Sequence, residues 1–406
     1  MKSKRFLILV LWTIAAVFIV TGNASTLSSS GPVLQWERFW GGSKTEEGKG
    51  IYISEKHIYV SGSTDIPDLE GTFTVLLKYD LSGSEIWSKI WGGYHYDRAT
   101  RLYILDNNIY VAAWTHSYAD DPVGDLEADA VILEYNPSGN LQRCMSWGNY
   151  PGYSGSDGFN DVFAVDKDIY AVGSSEFSWG NPVSLLQKYN VAGNLMWTRF
   201  WGPRGRQNMH TYALGIAISG NEIYVVGATE ITKGNLDGFI LKYDSEGNLI
   251  WEKTWGGSKH EACCGVATLG TYIYVVGYTN SFGAGGYDVV LLKYDSEGNL
   301  IWEKTWGGSK NEAGRDIFIS DNCLYVVGNT KSFGVGEHDA LILKIDLSGN
   351  PIWYETWGGA YCDVGRSLFV LGKDIYVVGD TESFGAGERD IFLLRYTEKK
   401  AHHNLP

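Results

Sequence analysis

The stretch Ile240-Leu241-Lys242-Tyr243-Asp244-Ser245-Glu246-Gly247-Asn248-Leu249-Ile250-Trp251-Glu252-Lys253-Thr254-Trp255-Gly256-Gly257-Ser258-Lys259 returns at residues 291–310 with 19 of 20 positions unchanged. Such identity means that a whole structural unit was duplicated. Within the stretch, runs rich in β-branched and aromatic residues flank Asp-Ser-Glu-Gly-Asn. That pattern reads as two strands joined by a tight turn, because glycine late in the turn accepts a positive φ. The turn glycine recurs as Gly83, Gly139, Gly193, Gly247, Gly298 and Gly349.

Moving outward, the doublet Trp-Gly begins at Trp40, Trp91, Trp147, Trp201, Trp255, Trp306 and Trp357, with spacings of 51, 56, 54, 54, 51 and 51. One unit reads as four strands, a to d. In the fifth these are Gly265 to Leu269, Ile273 to Gly277, Asp288 to Tyr294 and Leu300 to Trp306. The segment Leu34 to Trp40 is a lone strand d, and the last unit stops after strand c, Asp390 to Tyr396. Six complete units and two complementary pieces make seven four-stranded antiparallel sheets if the first strand completes the last sheet. The expected fold is all-β, a seven-bladed β-propeller closed by its N-terminal strand. Strand b carries a tyrosine in all seven units (Tyr59, Tyr110, Tyr170, Tyr224, Tyr274, Tyr325, Tyr376), followed three residues on by Gly or Ala. A bulky residue of one sheet filling the gap beside a small residue of the next is the expected packing.

Composition agrees. The 406 residues include 51 Gly and only 9 Pro, and 14% are aromatic, which suits many short strands with tight turns. The net charge of −14 argues against a nucleic-acid partner, whose phosphates need a Lys/Arg surplus. Residues 1–24 differ from the rest: Lys2, Lys4 and Arg5 precede an apolar run from Phe6 to Val20, and Gly22-Asn23-Ala24 offers small residues for cleavage. This is the layout of a secretory signal peptide, or of a membrane anchor if uncleaved. Its removal takes the charge to −17, since it holds three basic residues and no acid. The expected organisation is an export segment at 1–24, a linker at 25–33, the propeller at 34–397 and a disordered tail at 398–406. A low count of Gln and Met hints at a thermophile.

Trp-Gly-Gly, an acidic loop position, Ile/Leu-Tyr-Val-Val-Gly and Leu-Lys-Tyr-Asp-x-x-Gly-Asn-Leu-Ile-Trp together resemble the SBBP-type seven-bladed propeller repeat of bacterial and archaeal surface and secreted proteins. The resemblance covers about residues 34–397 and implies no enzymatic activity. Asp244 to Trp251 also looks like the tryptophan docking motif of quinoprotein dehydrogenases, which normally have eight blades and an alanine where Tyr243 stands here.

The loops from d to a and from b to c share one face of the disc, and each brings a recurrent acid. The first set is Glu46, Asp97, Asp157, Glu261, Glu312 and Asp363; the second is Asp129, Asp237, Asp288, Asp339 and Asp390. Carboxylates beside Gly-rich loop carbonyls suit Ca²⁺. An acid before a strand also supports its own loop by accepting N–H bonds, and this structural reading is the stronger. Arg315 and Arg366, three residues after Glu312 and Asp363, offer salt bridges. Strand d carries Trp-x-(Lys/Arg)-x-Trp, as in Trp197-Arg199-Trp201, which reads as packing between blades rather than an exposed sugar platform. The five cysteines occupy no common repeat position, so no disulfide ladder follows, and the adjacent Cys263-Cys264 reads as two unpaired thiols. The longest loops, in the second to fourth units, place Tyr150, Tyr153, Trp179, Arg204, Arg206 and His210 as candidate ligand-binding residues.

These readings converge on an exported, monomeric, noncatalytic propeller that binds an extracellular protein or glycan, with no cofactor beyond a conceivable Ca²⁺. It would touch a membrane only through an uncleaved N-terminal segment. Two alternatives are an enzyme at the channel mouth (a lyase, a glycoside hydrolase or a quinone-dependent dehydrogenase) and a structural component of a surface layer.

Overall fold

The computed structural model describes residues 31–93, 95–117, 128–148, 155–177, 181–202, 209–232 and 234–399. Residues 1–30, where the export segment is expected, and residues 400–406 lie outside these ranges. Twenty-eight strands form seven four-stranded antiparallel sheets. In six of them the chain runs a-b-c-d in order, with strand a innermost; these are blades 1 to 6, and blade 7 holds the last three strands. Strand Val33–Trp40 supplies blade 7 with its fourth strand. It pairs with Asp390–Thr397, Leu34 opposite Tyr396 and Trp40 opposite Ile391. The ring is therefore shut as the partial units required. Glu398, expected in the tail, is held by the Lys344 ammonium at 2.5 Å.

The core is seven layers, one in each seam between neighbouring blades. The layer between blades 5 and 6, for instance, packs Val276, Val289 and Leu291 against Ile317, Val326 and Leu343. Fully burying one such side chain contributes about 1.5–3 kcal/mol.

Strand a begins four residues earlier than its apolar pattern suggests, at Glu261 in blade 5, because a bulge between Cys263 and Gly265 interrupts it. Every blade has a bulge at this level. The bulge, rather than a neighbouring blade, explains the small residue of strand b. A Cβ on Gly277 would lie 1.8 Å from the Ala262 carbonyl oxygen, and Gly173, Gly227, Gly328 and Gly379 meet the same obstacle. The strand b tyrosine meets a tryptophan of its own blade at a tilt, as Tyr274 does Trp302 at 6.2 Å and 56°, and joins the layer shared with the next blade. In blade 2 the irregularity is wider, with Thr100 and Arg101 between the paired residues Ala99 and Leu102, and there strand b carries Ala113.

Candidate functional site in the channel and on its loop face

The seven a strands line the central channel. Four residues after each recurrent acid, and after Thr211 at the same place in blade 4, the repeat loses its regularity: Gly50, Arg101, Asp161, Gly215, Gly265, Asp316 and Ser367. The position follows the bulge in six blades and lies within the wider one in blade 2. Arg101 of blade 2 crosses the channel to Asp316 of blade 6, forming an ion pair, and donates to the Ser367 hydroxyl of blade 7 at 2.7 Å. Ser367 Oγ in turn donates to Asp316 Oδ2 at 2.7 Å. Asp161 of blade 3 also faces this guanidinium and accepts the Ile216 N–H at 3.1 Å. Burial pushes the Asp161 carboxyl up to about 7 against the pull of Arg101.

Two residues further along, Tyr52, Tyr103, Phe163, Phe318 and Phe369 form an arc over five consecutive blades, while blades 4 and 5 carry Ala217 and Ala267. Ring centroids within the arc lie 4.4–5.2 Å apart. A cavity of about 310 Å³ runs along this lining. The channel is thus polar at one level and aromatic at the next, with small side chains at that second level in blades 4 and 5.

The acids of the loop face hold loops. Glu312 accepts the Gly308, Lys331 and Ser332 N–H groups at 2.7, 3.2 and 2.9 Å and the Thr330 hydroxyl at 3.0 Å. Glu261 has the equivalent partners Gly257, Asn280, Ser281 and Thr279. Asp97, Glu46 and Asp363 accept from Gly93, Gly42 and Gly359 in the same way. Asp157 is buried at the start of its strand. Among the described residues no three His, Cys, Asp or Glu side chains converge as a metal ligand set. Arg366 pairs with Asp380 of the neighbouring strand at 2.7 Å, not with Asp363, whose oxygens already have N–H and O–H donors.

Between blades, the two sets of acids meet. The first glycine of Trp-Gly-Gly lies against both: a Cβ on Gly307 would sit 1.9 Å from Asp288 Oδ1 and 2.7 Å from Glu312 Oε2. Asp288 and Asp339 are raised to about 6, chiefly by burial, with the facing Glu312 and Asp363 charges adding to it.

The strand d cations pack between blades. Arg199 lies 4.9 Å over Trp197 and donates to the Gly247 carbonyl of the next blade at 2.7 Å. All five cysteines are free thiols. Of the candidate loop residues, Tyr150, Tyr153, Trp179, Arg204 and Arg206 lie outside the described residues. His210 is tied to Glu230, whose carboxylate accepts its N–H at 3.1 Å.

Reading the repeat for its shared residues passed over Arg101, Asp161 and Asp316. The signal that finds them is the opposite one: the inner-strand column in which seven aligned units hold Gly, Arg, Asp and Ser.

No family model matches the chain. It is 28% identical over 191 residues to the regulatory protein FlaEY of Caulobacter vibrioides (strain ATCC 19089 / CIP 103742 / CB 15), a match covering 39% of this chain and 20% of that protein. The chain therefore spans about a fifth of the length of this curated relative. Among solved structures it is similar to the WD40 β-propeller domain of Doa1, with a TM-score of 0.54, 11% identity, and 92% and 98% of the two chains covered. It is also similar to the polysaccharide lyase Uly1 (TM-score 0.54, 9% identity, 91% and 99% covered). The β-propeller domain of the trilobed protease from Pyrococcus furiosus gives a TM-score of 0.52 at 10% identity, with 89% and 99% covered. At these identities the likeness is one of fold, and β-propeller is what the chain shares with all three.

Proposed function

We propose that this chain is a noncatalytic binding propeller, exported by its N-terminal segment, that presents its loop face to an extracellular protein or glycan. The resemblance to SBBP-type repeats belongs to the same proposal. The observation that carries it is the use of the recurrent acids: Glu261 and Glu312 each accept four donors from their own loops, which leaves them as scaffold. The variable residues lie instead in the loops and seams of blades 2 to 4.

Asp161 supports a second reading. A carboxyl raised to about 7 beside an arginine, in a cavity, has the acidity of a general acid or base at neutral pH. Its partner Asp316 is spent on the ion pair with Arg101, which leaves one carboxyl where a two-carboxylate mechanism needs two.

The test is to expose the purified chain to glycan and extracellular-protein arrays, with calcium and with chelator. Saturable capture that survives chelation and the Asp161→Asn substitution supports the binding reading. Depolymerisation of a polysaccharide that Asp161→Asn abolishes would replace it with the enzyme.

A further inference from the structure

Blades 4 and 5 alone are small at both levels of the channel, with Gly215 and Ala217 in one and Gly265 and Ala267 in the other. Blade 1 has Gly50 at the first level but keeps Tyr52 at the second. The cavity of about 310 Å³ is the space these small residues leave, and all of its lining comes from described residues of the seven a strands. Its size lies at the lower end of small-molecule pockets. Across it stand the five rings of the arc, each half-buried and tilted by 35–59° to its neighbours.

The charges of the lining decide the sign of a ligand. They are one guanidinium, Arg101, and two carboxylates, Asp161 and Asp316. Arg101 spends its donors inside the ring: one amino group goes to Asp316 and to the Ser367 hydroxyl at 2.7 Å, the other to the Arg315 carbonyl at 3.4 Å. Little of it is left for an anion. Asp161 is the carboxylate without a cation of its own. Its two oxygens accept backbone N–H groups, from Val162 at 2.8 Å and Ile216 at 3.1 Å, while the ion pair of Arg101 goes to Asp316. Ionised, this lining holds one negative charge in surplus, and a buried charge calls for a counter-charge.

We propose that the channel binds a small organic ammonium ion, with its charged head at Asp161 and its hydrocarbon body between the small wall of blades 4 and 5 and the arc of rings. The rings favour an organic cation over a bare metal ion: their π faces attract a cation electrostatically, and they cover its hydrocarbon body. The donor set agrees, since among the described residues no three His, Cys, Asp or Glu side chains converge as metal ligands. The site lies inside the ring and not on the loop face, so it is additional to the binding reading above and does not rest on it.

The probes are phenethylamine and phenylacetate, which share a ring and differ in the sign of the head, titrated calorimetrically into the full protein. The amine should bind saturably and at least about tenfold more tightly than the acid. Burial raises the Asp161 carboxyl to about 7 against the pull of Arg101, with Asp316 adding to the rise. The other titratable groups of the lining, the Cys264 thiol and the Tyr52 and Tyr103 hydroxyls, are each raised by burial and stay neutral. Affinity for the amine should therefore climb about tenfold from pH 6 to pH 8, as the Asp161 carboxylate forms while the ammonium stays charged. Asp161→Asn should weaken binding about tenfold at pH 8 and flatten this profile, and Ala267→Phe should fill the cavity and weaken it about tenfold, with thermal melts confirming the fold of both. Equal binding of amine and acid, a flat profile in the wild type, or undiminished affinity in either folded variant would overturn the proposal. A cation held loosely by the surface of a chain with a net charge of −14 would give that last result. Array capture without amine binding refutes the channel site alone; amine binding without array capture refutes the loop-face reading alone.

Discussion

Blades 5 to 7 keep the loops of the repeat, whereas blades 2 to 4 depart from it there, even though strands c and d of blade 4 match those of blade 5 almost residue for residue. In the first group the recurrent side chains serve the scaffold: tryptophan packs on phenylalanine, as Trp306 does on Phe333, carboxylate accepts loop N–H groups, as Glu312 does, and the strand d cation of blade 7, Arg38, donates to the next turn. In the second group the same backbone persists while single partners drop out. Thr211 stands where Glu312 stands two blades later, and Arg101 has left the ladder for the channel. A ring of this kind is stabilised seam by seam, so a seam can give up some packing while its neighbours keep the disc closed. Irregularity then marks where side chains are available for something other than the scaffold.

The largest expected effect contrasts strand b of blade 5 with that of blade 2. Gly277→Ala drives a methyl into the Ala262 carbonyl and should destabilise by about 3 kcal/mol or more, since backbone is what must move. Ala113→Gly in blade 2, where the wider bulge accommodates a Cβ, should cost about 1 kcal/mol. Chemical denaturation of the two variants checks the difference. Equal losses would mean that the bulge does not decide which residue strand b carries.

How far the sequence could be read follows from the same contrast. Blade number, closure by Leu34 to Trp40, and the turn glycines were legible because each depends on local spacing repeated seven times. The structural role of Glu261 and Glu312 was legible for the same reason. Arg101 meeting Asp316 was not: the two are brought together across the ring by closure, and no local pattern encodes a contact between blades 2 and 6. Strand a was read short because its bulge breaks the alternation that reveals a strand. Pairing of Arg366 with Asp363 was expected from proximity in sequence, but the neighbouring strand places Asp380 nearer.

The second contrast is between seams. Phe333→Ala should destabilise by about 2 kcal/mol, less than a fully buried phenylalanine because the ring is half-buried between Trp306 and Tyr354. Ile231→Ala, between blades 3 and 4, removes a side chain that is 40% exposed and should change stability by less than about 0.5 kcal/mol. Thermal melts of the two variants check whether the phenylalanine carries the packing of its seam.

The smallest effect is in pH dependence. The seam between blades 5 and 6 sets Asp288 against Glu312, whereas the seam between blades 3 and 4 sets Val183 against Thr211. Asp288 is raised to about 6 from an ordinary value near 3.8, by burial first and by the Glu312 charge as well, while Ala284 and Gly285 N–H groups pull it down. An acid raised on folding binds its proton more tightly in the native state. Its protonated form therefore contributes stability at low pH that fades as pH climbs from roughly 4 to roughly 6. Asp288→Asn keeps an acceptor for the two N–H groups and removes the ionisation. The wild type should thus lose about 1–2 kcal/mol relative to this variant across that interval and nothing further above it. Thr211→Val, at the seam without the acid pair, should shift stability by the same amount at every pH. Parallel curves for wild type and Asp288→Asn would show that the carboxyl pair is already ionised in the folded ring. The acid at this seam would then be as fully absorbed by its loop as the repeat makes it look.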